Sequence, residues 1–190
     1  DGAFIGGTIA TNAAGAATFK YGSARRWVDA LSVVLADGSL IEVRRGEVTA
    51  SPEGWFELVH PSGTSVRVPV PTYVMPDVAK LSAGYFARPG MDLIDLFIGS
   101  EGTLGIVIAA TLRLIPLPRR SVVLVACDSD SQAAAITAAL RRGAASNWRG
   151  EGDLDVSAVE FMDGRSLAVV PDAAFARAGV ARPAPGAGLL

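Results

Sequence analysis

Residues 95–118 read DLFIGSEGTLGIVIAATLRLIPLP. Glycines stand at 99, 102 and 105. Glycines this dense let a backbone turn through positive φ and let a ligand approach it closely. Successive free amides in such a loop bind an anion without any charged side chain. A dinucleotide pyrophosphate suits that chemistry. The following run, 104–115, predicts a long strand, with Ile106, Ile108, Ala110, Leu112 and Leu114 on one face. Pro116 and Pro118 end it and, with Arg119 and Arg120, mark the best domain boundary in the chain.

A second glycine-rich stretch, GGTIATNAAG, lies at 6–15. Its small residues leave room for a flat ligand. Thr11 and Asn12 add short side chains that both donate and accept. Residues 1–22 show neither a helical nor a strand period. Neither stretch has the G-x-G-x-x-G pattern between a strand and a helix, nor a Walker pattern with its lysine. On the residues alone two readings stand: two walls of a ligand site, or two plain glycine-rich loops of an alanine-rich protein.

Around these stretches the pattern is mixed α+β. LSVVLADGSLIEV (31–43) predicts a hairpin, with Leu31, Val33 and Leu35 sharing a face and Asp37-Gly38 forming a tight turn with positive φ at both positions. A second hairpin is predicted over 55–70, turning at Pro61-Ser62-Gly63, with Phe56, Leu58, Val66 and Val68 alternating. Residues 76–98 predict a loop and then a short helix-like run, MDLIDLFI. Beyond the boundary, SVVLVAC (121–127) predicts a strand. Ser129 and Gln132 form a capping box, with Gln132 reaching back to the Ser129 amide. Ala133, Ile136, Thr137 and Leu140 follow helical spacing, and Gly143 is the expected stop. Residues 144–153 read as a polar loop and VSAVEFM (156–162) as a strand. The strand–helix–strand order predicts the beginning of a small α+β domain.

Composition excludes several classes. The chain has 190 residues, 50% hydrophobic and 19% charged, with a net charge of −2. That supports a buried core and argues against disorder. Lysine occurs only at 20 and 80 and no basic run exists, so nucleic-acid binding through clustered phosphate contacts has little support. One cysteine, Cys127, precludes an internal disulfide and reads as a buried small hydrophobe. One histidine, His60, reads as a solvated loop residue beside the second turn. The two lie far apart, so no His/Cys metal site is expected. No apolar stretch approaches the roughly 18 residues of a membrane span, and no secretory signal opens the chain. Asp1 stands directly before a patterned segment and Leu190 stops in what reads as a strand, so the chain is expected to be a fragment of a longer polypeptide.

Together, GGTIATNAAG, Lys20-Tyr21-Gly22, Arg25, DALSVVLADGS and the 95–118 stretch resemble the FAD-binding domain (PCMH type, FAD-linked oxidase) of the vanillyl-alcohol oxidase superfamily. The branch they resemble is the glycolate oxidase and D-lactate dehydrogenase group. VSAVEFMD is similar to the start of that group's cap domain. The resemblance covers most of 1–45 and 84–118, with a thinner match at 156–163. It implies that residues 1–118 are the second subdomain of the FAD-binding domain and 119–190 the start of an α+β cap domain. The family's first glycine-rich loop would precede Asp1. Phe4, Ile5, Gly6, Gly7, Ala10, Thr11, Asn12, Ala13 and Gly15 match the segment lying along flavin and pyrophosphate. Glu101, Gly102, Thr103, Gly105, Ile106 and Val107 match the segment meeting the cofactor from the other side. Backbone amides there would favour the reduced ring.

The same resemblance implies oxidation of a 2-hydroxy acid of the glycolate or D-lactate type by hydride transfer to FAD. Electrons would leave to an acceptor other than NAD, with an iron–sulfur or other electron-transfer subunit as partner. The expected location is the cytoplasm, with any membrane association made through partners. Rival readings are another reaction on the same FAD module, such as alkyl transfer or alcohol oxidation, and a non-catalytic module that has lost flavin. The family's acid/base residues and any metal ligands lie mostly in the cap, so no catalytic residue is named here. Three departures stand out. Ala14 replaces a frequent glycine. Arg26 replaces a frequent acid, removing a local ion pair. Residues 46–83 are longer than in the relatives. Glu101 reads equally as a ribose contact or a loop-ordering residue. Arg25 reads as a structural ion pair or a solvated residue rather than a contact to an anionic group, Tyr85 as packing with a bonded hydroxyl, and Lys20 as solvated.

Overall fold

A computed structural model describes residues 3–59, 63–78, 80–184 and 187–190. The predicted turn residues Pro61 and Ser62, and His60 beside them, lie outside the described residues. The architecture is mixed α+β. The chain divides into two compact units. One holds residues 1–18 and 22–116, the other residues 19–21 and 117–190.

The first unit is built on a three-stranded antiparallel sheet of order β2-β1-β5, where β1 is Val28–Val34, β2 Leu40–Arg44 and β5 Ile106–Leu112. Leu31 faces Val43 and Val33 faces Ile41 in the β1–β2 register. Leu31, Val33 and Val43 are buried, as the alternation requires. The connecting turn differs from the two-residue form. Leu35 and Ser39 still pair, Gly38 has φ of 83° and Asp37 does not have positive φ. This is a three-residue loop. Asp37 closes it with its carboxylate, which accepts from the Ser39 amide at 2.9 Å and hydroxyl at 2.6 Å.

β5 is shorter than the predicted 104–115 and its faces differ. Val107 and Leu112 pack against the core, whereas Ile106, Ile108, Ala110 and Leu114 are exposed. Strict alternation fails because the β1–β5 register shifts between Val28 and Ala30 and again between Ser32 and Val33. Each bulge adds an unpaired residue and moves the following side chains to the other face.

β3 (Trp55–Val59) and β4 (Ser65–Pro69) form the second hairpin, with Phe56 opposite Val68 and Leu58 opposite Val66. Phe56 is wholly buried, so this hairpin belongs to the same core as β1. The core also takes Leu93, Ile94 and Ile98 from the run predicted as helix-like, of which Ile94–Phe97 is the helix α3. Each such side chain contributes about 1.5–3 kcal/mol on burial. The glycine-rich start of the chain holds two short helices, α1 (Ile5–Ala10) and α2 (Thr18–Tyr21). No period announced them, because α1 buries only Ile9.

In the second unit, β6 (Ala126–Cys127) pairs with β7 (Gly188–Leu189). The predicted strand 121–127 is thus reduced to its end, and Val122 and Val123 are exposed. Cys127 is fully buried. α4 runs over Asp130–Trp148, through the expected stop at Gly143. A Cβ at Gly143 would stand 2.9 Å from Leu154 Cδ2, so this glycine makes room for a neighbour. Ser129 caps the helix by accepting from the Gln132 amide, and Gln132 accepts from the Asp128 amide, one residue earlier than expected. Residues 156–162 do not form a strand; Met162 alone makes a bridge, to Leu189. Two further helices follow, α5 (Gly164–Ala168) and α6 (Asp172–Ala178).

Candidate functional site

α1 packs on β5 within the first unit, and this brings the two glycine-rich stretches together. Between them lies a cleft of about 220 Å³ lined by Gly6, Gly7, Ala10, Ser100, Gly102, Gly105, Ile106 and Val107. All eight residues belong to the two stretches singled out in the sequence, and all but Ser100 were named there as cofactor contacts. The cleft is smaller than the roughly 300–1,000 Å³ of a site that encloses an organic ligand. It suits one face of a flat group.

The glycines of the cleft have different causes. Gly105 is required by packing, because a Cβ there would stand 2.6 Å from Val33 Cγ1 and 2.7 Å from the Val34 carbonyl oxygen. Gly102 has φ of 80° and nothing within 4 Å of its would-be Cβ. Gly6 and Gly7 are helical, and a Cβ on either would also meet nothing within 4 Å. Glycine inside a helix costs about 1 kcal/mol relative to alanine. Neither chain packing nor backbone conformation calls for that cost. What Gly6, Gly7 and Gly102 provide is an empty surface above the backbone. Ile106, which also lines the cleft, is 66% exposed. Phe4 and Ile5, 85% and 60% exposed, flank that surface at the start of α1.

The two walls are joined by backbone bonds. The Gly99 amide donates to the Ile9 carbonyl at 3.0 Å and the Glu101 amide to Ala10 at 2.9 Å. The Thr103 amide donates to Ser100. These three amides are spent within the chain. Asn12 (φ 46°) and Glu101 (φ 52°) are the two non-glycine residues with positive φ among the described residues. Both sit where the walls meet, a clustering of backbone strain that accompanies functional sites. Ala14 has no such φ, so its replacement of glycine requires no local change.

The other expected ligand contacts are placed differently. Asn12 is buried and its side chain is occupied by protein. Its oxygen accepts from the Arg25 amide at 2.9 Å and its nitrogen donates to the Leu81 carbonyl at 3.1 Å. The Thr11 hydroxyl donates to Gly7 of its own helix at 2.8 Å. Ala13 and Gly15 are exposed and do not line the cleft. Glu101 is exposed and orders the loop through its amide. Thr103 stands against Tyr85, their hydroxyls 2.7 Å apart. Lys20 is ion-paired with Asp155 at 2.6 Å, and that bond raises its pKa.

Arg25, for which the sequence favours a structural ion pair or solvent, belongs to a buried ionic cluster whose other members the sequence did not single out. Arg25 pairs with Asp95 at 3.2 Å and donates to the carbonyls of Asp95 and, at 2.5 Å, Ile98. Arg45 pairs with the same carboxylate at 3.1 Å and donates to the carbonyls of Val28 and Arg25. The Arg25 guanidinium lies over the Phe86 ring. Burial lowers the Arg25 pKa, and Asp95 opposes that shift. The signal for this cluster was Asp95 itself, a charge inside the apolar run MDLIDLFI. Ser100, the remaining cleft residue, carried no signal beyond its place between glycines. Among the described residues no group of three or more His, Cys, Asp or Glu side chains could hold a metal ion. No helix among them is long and apolar enough to cross a membrane.

Residues 1–44 match a family model described as an FAD binding domain. The first 44 residues are thus similar to an FAD binding domain. The chain is 35% identical over 164 residues to a D-2-hydroxyglutarate dehydrogenase of Xanthomonas citri pv. viticola, covering 86% of the chain and 25% of the relative. It is 33% identical over 168 residues to glycolate oxidase subunit GlcD of Bacillus subtilis, covering 88% and 26%. It is 33% identical over 123 residues to a D-lactate dehydrogenase of Anaerostipes hadrus, covering 65% and 18%. The chain is related, at low identity, to glycolate oxidase, D-lactate dehydrogenase and D-2-hydroxyglutarate dehydrogenase. The chain spans about a quarter of the length of the first two of these curated relatives.

Proposed function

We propose that the cleft between α1 and the Gly99–Gly105 loop is one wall of a flavin site in an FAD-dependent oxidoreductase that oxidises a 2-hydroxy acid. One observation carries this. Gly6, Gly7 and Gly102 leave open a surface that nothing in the chain fills, and Gly6 and Gly7 lie within the residues, 1–44, that match an FAD binding domain. Residues 1–118 are read as the second subdomain of a PCMH-type FAD-binding domain and 119–190 as the start of a cap domain. The substrate class rests on the relatives, whose names specify D-2-hydroxyglutarate, D-lactate and glycolate.

In this reading Gly6, Gly7, Ala10, Gly102, Gly105, Ile106 and Val107 hold the cofactor. The backbone of the three ligand-facing glycines meets its flat face, Ile106 and Val107 bound it with apolar surface, and the pairing of Gly99 and Glu101 with α1 fixes the width between the walls. Bound FAD supplies a two-electron acceptor, so that the 2-hydroxy acid becomes a 2-oxo acid. Rigid walls serve this chemistry by orienting the acceptor before reaction. The electron acceptor that follows is read as other than NAD, delivered through a partner.

The test uses the intact protein. It should purify yellow, with flavin absorbance released on denaturation. Mixing without oxygen with glycolate, D-lactate and D-2-hydroxyglutarate in turn should bleach that absorbance with at least one. A colourless protein that takes up no added FAD sinks the flavin reading. A yellow protein bleached by none of the three, but by a simple alcohol, moves the reaction to another class on the same module.

A further inference from the structure

The Arg25 arm of the Arg25–Asp95–Arg45 cluster ends on the carbonyls of Asp95 and Ile98, and Ile98 immediately precedes the loop that forms one wall of the cleft. The Arg25 guanidinium reaches the Asp95 and Ile98 carbonyls with two different nitrogens. One of those nitrogens stands 3.5 Å from the position a Gly99 Cβ would take. Gly99 is followed by Ser100, which lines the cleft. Through its own amide Arg25 also bonds the side chain of Asn12, the residue that turns the chain out of α1 with positive φ. A single residue therefore grips both walls, one through its side chain and one through its backbone. Its guanidinium side chain is 15% exposed and the Asp95 carboxylate 10%. Two arginines share this carboxylate, so losing one leaves the acid paired and the cluster folded.

We infer that Arg25 is a positioning residue for the cofactor: its forked guanidinium sets where the Ile98–Glu101 backbone stands relative to α1. This rests on the flavin reading above. The fork is the essential feature. Arginine presents donors in a fixed planar array, whereas a lysine ammonium is a point charge. A lysine at 25 can keep the ion pair with Asp95 but cannot hold two carbonyls at the same separation. The role therefore separates from simple stability.

The experiment compares Arg25→Met, Arg25→Lys and a core control, Phe56→Leu, in the intact protein. Three quantities are read: FAD dissociation constant, visible circular dichroism of the bound flavin, and amide hydrogen exchange at Gly99 and Glu101. Arg25→Met should weaken FAD by about tenfold or more, the loss expected for hydrogen bonds from a charged group. It should also change the dichroism and speed exchange at both amides. Arg25→Lys should recover thermal stability but not the dichroism or the affinity. Phe56→Leu should lower thermal stability and leave the flavin signal as it was. Wild-type affinity and dichroism in Arg25→Met, or full recovery of both in Arg25→Lys, overturns the inference. A wild-type protein without flavin overturns the earlier reading instead. In that case the two amides still decide the mechanical part: unchanged exchange in Arg25→Met rules out that Arg25 holds the loop.

Discussion

At the scale of the residue, Gly102 is where the site is easiest to damage. Its φ of 80° is left-handed and its missing side chain leaves the cleft open. Valine there faces two obstacles. The conformation costs a non-glycine residue about 1–3 kcal/mol, and the new methyl groups occupy ligand space. Gly102→Val in the intact protein should therefore leave flavin below one equivalent after extensive dialysis. Full retention would contradict the role given to this glycine. The glycines were legible in the sequence because their density is a local signal. Arg25 was legible as an ion-pairing residue, but its partners Arg45 and Asp95 were not, since they lie 20 and 70 positions away and no short-range pattern links them. Asn12 was found for a sound reason, its two-way hydrogen bonding, but that capacity is used on Arg25 and Leu81.

At the scale of the element, legibility follows how much of each element is decided locally. The β1–β2 hairpin was readable because alternation and an Asp-Gly turn both point to it. α1 was hidden because two glycines depress its propensity and one buried isoleucine gives it no period. It is held by the sheet it packs on. α4 was readable at its start, where Ser129 caps it, and misread at its end, where Gly143 serves Leu154. α5 offers a measurable case of capping. The Asp163 carboxylate accepts from the Ser166 amide at 2.7 Å. That bond lowers its pKa from the usual 3.8. A carboxylate with a lowered folded pKa stabilises fully above its unfolded value, and the contribution disappears as pH falls through the folded one. Thermal melts of wild type and Asp163→Ala should differ at pH 6, and the gap should shrink below about pH 4, near the ordinary aspartate pKa. A gap that is constant across that range would show that the charged cap does not stabilise α5.

At the scale of the whole molecule, the two compact units are joined through a segment of unusual exposure. Leu114 is 87% exposed, Leu117 92% and Val122 87%, and residues 113–125 have no regular secondary structure. Backbone without ladder bonds opens to a protease at little cost. A chymotrypsin-like protease at low dose should first cut near Leu117, giving two fragments by mass spectrometry. First cleavage within β1 or β2 would contradict the division. A different consequence follows from the contact of Gly105 with Val33. The cleft and the hydrophobic core are separated there by the thickness of one backbone. Under the flavin reading, an enlarged side chain at 33 in the interior shifts the floor on which the cofactor rests, although it never touches that cofactor. Colour thereby becomes a gauge of packing. Variants at position 33 sorted by yellow intensity would rank by how far each side chain displaces Gly105, whereas core changes away from that contact would leave the colour as it was.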